Sequence, residues 1–462
     1  MPAPPPSRQG GEHQPTTGRH QLIESREGNE MRTTSTTTNK TTTKAKTAAA
    51  GSLSALLTMT LLLPTSATAA PTAPAEESND IPGITSEESR EQVQRAGEQA
   101  LEDVRIKGTP PGQATPATDA LDHGMRQVIA DGAIGVSVRV NSPGLTWRGS
   151  AGKRAVDRNP PAGWQDAFRV ASNTKPMIAT LVLQEVERGA WTLDTTVEDV
   201  LPGLLPEHGD ATLRELLSHT SGMPNGTTEL LLAQMTDPGD WDEFRGLISR
   251  DYSQQDHVDI INAFPWTARG EFVYSNAGYV VLGMLLEAQT GRSVEQLLRE
   301  RIWSPAGMRH SAYPLNPGMP NPALAEDAWI GDGWLGLRGF DPDLFRAAGA
   351  VVSTTGDLNS FTRSLVNGAL VDPALVQEMA TPVTAEGYGL GVYLVPDPCS
   401  SPEDPQWFIG HDGASFGTLS VALTSADGTR QISLAATGRD ISAIEPRWDL
   451  GDVIVPALLA TC

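Results

Sequence analysis

The sequence predicts an α+β fold: an antiparallel sheet flanked by helices, with an inserted all-helical lobe. Two hairpin patterns of period 2 lie far apart in the chain, one beginning at Gly135 and the other at Leu419. Between them apolar residues repeat at helical spacing, separated by loops rich in Gly, Pro and Asn. Strands at both ends with helices between them fit one sheet closed by distant parts of the chain.

In the first hairpin, Gly135 to Val140 and Leu145 to Arg148 flank a turn over Asn141 to Gly144. A helix is expected from Ser172 to about Arg188, because Met177, Ile178, Leu181, Val182 and Val186 follow the 3.6 period and Gly189 ends it. Pro176 falls in its first turn, where proline is tolerated. Residues 192–290 form the expected helical lobe, including a helix from Ala277 to Gln289 that stops before Gly291. In the second hairpin Leu419, Val421 and Leu423 alternate with Ser420, Ala422 and Thr424. Asp427 and Gly428 mark its turn, and Ile432, Leu434 and Ala436 resume the alternation. Residues 441–460 read as a closing helix, and the chain has no internal repeat.

The N-terminal part is of a different kind. Residues 1–30 are polar and patternless, and Met31 offers a second start. After it come Arg32, Lys40, Lys44 and Lys46, a mostly apolar run from Ala48 to Leu63, and Ala67-Thr68-Ala69. Basic residues, a short apolar run and an A-x-A site read as a secretory signal peptide cleaved near Ala69. The run is interrupted by Gly51, Ser52, Ser54, Thr58 and Thr60, and is shorter than the ~20 apolar residues a spanning helix needs. Residues 1–69 are therefore expected to be a leader and the protein to be secreted. Residues 70–85 read as disordered, 86–106 as a charged pro-segment helix, and 109–118 as a Pro/Gly/Thr linker. Taken together, 70–115 precede a catalytic module over 116–462.

Composition narrows the function. The whole chain carries a net charge of −22, and the part after residue 69 has 27 basic against 52 acidic residues. Such a surface repels nucleic acid and anionic wall polymers. Cys399 and Cys462, 63 positions apart, offer no zinc spacing and read as one disulfide. Closing a loop of that size stabilises a fold by roughly 4 kcal/mol on chain-entropy grounds.

Three short motifs carry chemistry. In Ser172-Asn173-Thr174-Lys175, residues three apart on a helix face the same way, so hydroxyl and amine can touch. Lys175 shares its stripe with Ala179, Val182 and Val186 and so points inward, where burial makes a neutral, basic amine accessible. After residue 69 there are three lysines against 24 arginines, and no lysine follows Lys175. A lysine kept where arginine is otherwise preferred suits a task that needs deprotonation. Tyr274-Ser275-Asn276 precedes the second helix; a phenol beside an amine can relay a proton, and an amide can both donate to and accept from a bound substrate. In His411-Asp412-Gly413-Ala414, Gly413 allows close backbone approach, and the N–H groups of Ala414 and Ser172 can form an oxyanion hole. Gly413 to Gly417 also matches G-x-S-x-G around Ser415, but a strand pattern follows where that motif needs a helix, and no histidine lies downstream.

The three motifs, in this order and spacing, resemble those of penicillin-binding proteins and class C β-lactamases, most of all secreted Streptomyces-type D-alanyl-D-alanine carboxypeptidases. The stretches Leu216–Gly222, Ala347–Ser353 and Gly387–Gly391 are also similar to that family, and the resemblance covers about 118–462. It implies a sheet-and-helix lobe, a helical lobe, a cleft between them, and a disulfide near the C-terminus. It assigns Ser172 as the acylated nucleophile, Lys175 and Tyr274 as handlers of its proton, and Asn276, Gly413 and Ala414 as substrate-binding positions. His411 takes the place of the third motif's usual lysine. No metal or cofactor is implied; the expected partners are small peptide, ester or lactam substrates, with no nucleic acid, no stable membrane insertion, and a monomeric state. The same residues with another pocket give an esterase, β-lactamase or acyltransferase, and without turnover a binder of wall peptides or penicillins.

One departure from the resemblance bears on substrate. Where the family places hydroxyl residues and an arginine to hold a terminal carboxylate, this chain has Asp412, Ala414 and Val392-Tyr393-Leu394. Two like charges at about 4 Å repel by ~4 kcal/mol at an effective dielectric of about 20. Weak activity on free D-Ala-D-Ala termini is expected, unless Arg338 or Arg346 supplies the clamp.

Overall fold

The computed structural model of the protein describes residues 106–108, 114–443 and 447–462. The expected leader, the 70–85 segment, the charged helix up to Arg105 and positions 109–113 of the linker lie outside the described residues. Eight strands form one antiparallel sheet: β1 (Ile106–Lys107), β2 (Gly135–Ser142), β3 (Leu145–Ala155), β4 (Arg158–Pro161), β5 (Tyr393–Pro396), β6 (Trp407–Ala414), β7 (Thr418–Ser425) and β8 (Gln431–Thr437). Their order is β1-β3-β2-β8-β7-β6-β5, with β4 folded back on β3. The two hairpins meet where β2 pairs with β8, Val138 opposite Leu434. This junction closes the sheet predicted from the two distant strand patterns. Ile106–Lys107, inside the stretch preceding the module, adds an edge strand against Ala151 and Ser150.

Helices cover both faces. On one, α1 (Pro116–Ala130) packs with α5 (Gly451–Leu459) over Val136, Val138, Val421, Leu423, Ile432 and Leu434. Thr115 caps α1 reciprocally with Thr118, and Pro116 begins it, where its missing N–H costs nothing. On the other face lie α2 (Lys175–Glu187), α3 (Asn276–Thr290) and α4 (Thr355–Val366), over Ile409, Ala422 and Ala435. The alternation of β7 and β8 thus separates two buried faces, and β8 is buried along its whole length. Small residues on the second face allow close helix approach, and two of its polar members are bonded: Ser433 donates to Asn359 and Ser420 to the Val170 carbonyl. The helical lobe continues from Val197 to Ala306 as short helices. Beside it Phe244, Ile248, Tyr252, Phe340, Phe345 and Phe416 form a separate aromatic cluster.

Two helix boundaries differ from the periodicity. The helix expected from Ser172 becomes α-helical only at Lys175, after a tighter turn over Ala171–Thr174. Pro176 has no N–H for the Ser172 carbonyl, so the Lys175 N–H takes it in a three-residue step. The expected 441–460 helix is confined to Gly451–Leu459; Trp448 donates from its indole to the Gly438 carbonyl at 3.0 Å, which anchors the preceding chain to the sheet. The second expected helix is present as α3, capped by Ser275 and ended by Gly291 in the left-handed region. No described helix is long and apolar enough to cross a membrane.

A disulfide joins Cys399, in the loop between β5 and β6, to Cys462 just beyond α5. Reducing it is expected to lower the unfolding free energy by ~2–4 kcal/mol, read from denaturant curves with and without reductant. Gly413 of β6 lies against the turn that precedes α2: a Cβ there would stand 2.2 Å from the Val170 carbonyl oxygen and 2.5 Å from Ser420 Oγ. Gly413→Ala is therefore expected to cost about 1–3 kcal/mol by overpacking, measured the same way, while Gly144→Ala, with open space around it, stays near zero.

Candidate active site

The turn carrying Ser172 is held from several sides. The Val170 N–H donates to Val351 at 3.0 Å, and the Val351 N–H donates to Thr174 Oγ1 at 3.2 Å. Asn173 Nδ2 donates to Ser420 Oγ at 3.0 Å, so β7 grips the same turn. Ala171, just before Ser172, has φ 48°, a left-handed conformation uncommon for alanine. Within this fixed turn Ser172 is half-buried, while Asn173, Thr174 and Lys175 are buried.

Lys175 is fully buried, and its amine meets three oxygens: Ser172 Oγ at 3.0 Å, Asn276 Oδ1 at 2.8 Å and the Ala348 carbonyl at 3.0 Å. Burial pushes its pKa well below the ordinary lysine value, with the charge of Asp412 opposing that shift. A neutral amine has two N–H groups, which match the amide and carbonyl acceptors, and a lone pair left for the Ser172 hydroxyl. From the other side Tyr274 Oη donates to Ser172 Oγ at 2.8 Å. Desolvation pushes the Tyr274 phenol well above its ordinary value, with Tyr393 and Asp412 adding to the shift, so it stays a donor. The Lys175 nitrogen lies 4.7 Å from the Tyr274 ring centroid.

Asn276 opens α3 as its first residue, with Ser275 doing the capping, so its amide is free to face Lys175. Its Nδ2 donates to Asn225 Oδ1 at 3.3 Å, which fixes the amide with its oxygen toward the amine. Four of the predicted residues, Ser172, Lys175, Tyr274 and Asn276, thus form one hydrogen-bonded set. Gly413 and Ala414 sit on the strand packed against the Ser172 turn. His411 stands behind this set: its ring lies 6.5 Å from that of Tyr274, and its Nε2 is 3.0 Å from Tyr388 Oη. Among the described residues it makes no hydrogen bond to Ser172, Lys175 or Tyr274, because Tyr388 and Asp412 occupy its nitrogens. Ser415 of the G-x-S-x-G match is buried, donates to Glu326, and leads into β7 rather than a helix.

Several participants carry no signal in the three motifs. His219 packs its ring 4.2 Å from that of Tyr274 and accepts from the Ser275 N–H through Nδ1 at 3.2 Å. Its carbonyl accepts from Val273 at 2.8 Å, so it braces the whole Tyr274 turn. Burial holds its pKa well below the usual value, with Lys175 and His411 adding to the effect; it is a neutral support. The Ala348 carbonyl, Tyr388 and Tyr393 complete the surroundings. His219, Ala348 and Tyr388 fall in Leu216–Gly222, Ala347–Ser353 and Gly387–Gly391, stretches similar to the family with no chemical reason visible in the sequence, and Tyr393 lies in the stretch that departs from it.

The beta-lactamase family matches residues 118–435. Penicillin-binding protein 4 of Amycolatopsis lactamdurans is 29% identical over 289 residues, covering 55% of this chain and 67% of that protein. Esterase EstB of Burkholderia gladioli is 27% identical over 223 residues, covering 45% and 56%. The crystal structure of a D-stereospecific amidohydrolase from Streptomyces sp. superposes with a TM-score of 0.64 at 26% identity, over 73% of this chain and 97% of that one. The chain spans between about half and two thirds of the length of these two named relatives. The family match contains Ser172, Lys175, Tyr274, Asn276 and His411, and the chain belongs to the beta-lactamase family of serine hydrolases.

Proposed function

We propose that the protein is an exported hydrolase that acylates Ser172 with small peptides, amides or esters, acting on D-amino-acid or cell-wall peptides outside the membrane. The observation that carries this reading is Ser172 Oγ, bracketed by the buried Lys175 amine at 3.0 Å and the Tyr274 phenol at 2.8 Å. Lys175 takes the hydroxyl proton as Ser172 Oγ attacks the substrate carbonyl. The N–H groups of Ser172 and Ala414 receive the oxygen as it becomes negative. Tyr274, kept protonated by its surroundings, delivers a proton to the leaving amine or alcohol and regains one through Lys175. Water then releases the acyl group, with the same two residues working in reverse. Asn276 orients Lys175 and offers its amide to the substrate. Export rests on the basic, apolar and A-x-A order of residues 31–69, and a monomer acting alone on small substrates is part of this reading.

A plain carboxypeptidase specificity has less support. Arg338 is committed to Asp157, and Arg346 to the Tyr252 carbonyl and to Asp343 at 3.5 Å. Neither is available as a carboxylate clamp, while Asp412 lies in the stretch where the resemblance implies hydroxyl residues that hold a carboxylate. Substrates whose terminal carboxylate is esterified, amidated or absent fit this site better than free acids.

Ser172→Ala is expected to abolish the covalent adduct seen by intact-mass spectrometry after incubation with a penicillin or an activated ester, and Ser415→Ala to retain it. An adduct that survives Ser172→Ala would remove the assignment. Lys175→Arg keeps the charge but cannot lose it, so turnover should fall by about 10²–10⁴-fold. The pH profile provides a signed check. Activity requires the neutral amine, so it rises with pH through the Lys175 pKa and levels off well below the ordinary lysine range. Asp412 holds that pKa up, so Asp412→Asn should move the acidic limb to lower pH. A limb that moves upward, or stays fixed, would contradict the role of Lys175 as the base.

A further inference from the structure

We propose that Asp412 and Tyr393 form a subsite for a positively charged group of the substrate, a primary ammonium carried a few bonds from the scissile carbonyl. The inference rests on the acyl-enzyme reading above and adds the substrate class. Asp412 lies on β6, opposite Val421 and two residues before Ala414, so residues 412 and 414 share one side of an extended segment. Its side chain is 15% exposed, and among the described residues its ion-pair neighbour is His411 Nδ1 at 3.3 Å. No Arg or Lys pairs with it among the described residues, whereas Asp397, on the far side of the same sheet edge, is bonded by Arg430. A partly exposed carboxylate whose charge reaches Lys175 and Tyr274, and which no lysine or arginine pairs among the described residues, is a candidate receiver for a cation from the substrate.

Tyr393 supplies a second, independent observation. Its hydroxyl is buried and, among the described residues, has no hydrogen-bond partner. The ring is fixed edge-on against Tyr388, with centroids 4.6 Å apart, and against His411 at 5.0 Å. Asp412 is close enough to push the Tyr393 phenol up, yet the two groups do not bond each other. A group that donates hydrogens to both would satisfy them; an ammonium does this, an added carboxylate is repelled by one of them, and a neutral amide gains less. The walls suit a cation as well, since the rings of Tyr274, Tyr388 and Tyr393 gather around His411, and Lys175 already rests near two tyrosine faces. Binding also couples to chemistry: a cation that neutralises Asp412 withdraws the charge that favours protonated Lys175, leaving the amine readier to act as a base.

The test uses the full chain and three matched substrates: D-alanine p-nitroanilide with its free ammonium, the N-acetyl compound, and the N-succinyl compound carrying a carboxylate. The expected order of kcat/KM is ammonium, then acetyl, then succinyl, with at least about tenfold between the first two, the size of one hydrogen bond to a charged group. Asp412→Asn should bring the first two within about twofold, and Tyr393→Phe should reduce their ratio by a smaller factor. Equal or better turnover of the acetyl compound by the unaltered protein overturns the subsite, as does a tenfold preference that persists in Asp412→Asn. The unaltered comparison stands even if a variant fails to fold. Intact-mass detection of Ser172 acylation by p-nitrophenyl butyrate, a neutral ester, runs in parallel. Its absence would overturn the acyl-enzyme reading itself, while its presence with no ammonium preference overturns the subsite alone.

Discussion

An amine taken fully out of water must either be paired with a negative charge or give up its proton. Lys175 has neither an aspartate nor a glutamate bonded to it; its three partners are a hydroxyl, an amide oxygen and a backbone carbonyl. The low pKa that follows depends on α2 being buried on nearly every side, because an exposed helix would leave the charge hydrated. It depends equally on α3 and the Ala348 segment presenting acceptors at fixed distance, since a neutral amine with unsatisfied N–H groups would be costly to bury. The sheet, α2 and α3 are therefore arranged around one side chain, the amine that meets the Ser172 hydroxyl.

Backbone chemistry fixes Ser172 just as firmly. Pro176 withholds the N–H that would have made Ser172 part of a regular helix, and the tighter turn that results keeps the hydroxyl at the helix mouth. Ala171 enters that turn in a left-handed conformation, a local cost of order 1–3 kcal/mol borne where positioning matters. Gly413 then lets β6 lie directly on the Val170 carbonyl. A larger residue at 413 would lift the strand that carries Ala414 away from Ser172. These three positions make the placement of Ser172 beside Ala414 a matter of main-chain geometry.

Much of this was legible in the sequence where a residue type has one plausible use. The lone inward lysine among so many arginines pointed to deprotonation, and the position of Ser172 one turn before it named the partner. The hairpins were legible because Val138, Val421, Leu423 and Leu434 face a core through a period that helices do not share. Their second burial was not, because Ser420, Ala422 and Ser433 look like a solvent face until α4 and the Ser172 turn cover them. The start of α2 was misplaced because periodicity counts apolar positions and ignores which carbonyl a proline leaves unbonded. His219 could not be weighed from sequence at all. A buried neutral histidine bracing a tyrosine turn is identical, in one dimension, to a histidine on the surface.

The charge balance of the cleft follows from the same burial. Lys175 and His219 are both driven toward their neutral forms, so two groups that are cationic in water contribute little positive charge here. Arg169 and Arg439, the nearby buried arginines, direct their groups to Glu326, the Phe340 carbonyl and the Ser415 carbonyl, below the end of β6. What remains beside them is Asp412, partly exposed and paired by no lysine or arginine among the described residues. A cleft that suppresses its own cations while keeping one carboxylate has a negative field wherever substrate lies along β6. Such a field is the electrostatic basis of the ammonium subsite proposed above. The low pKa of Lys175 and the unbalanced charge of Asp412 are thus two consequences of the same desolvated site.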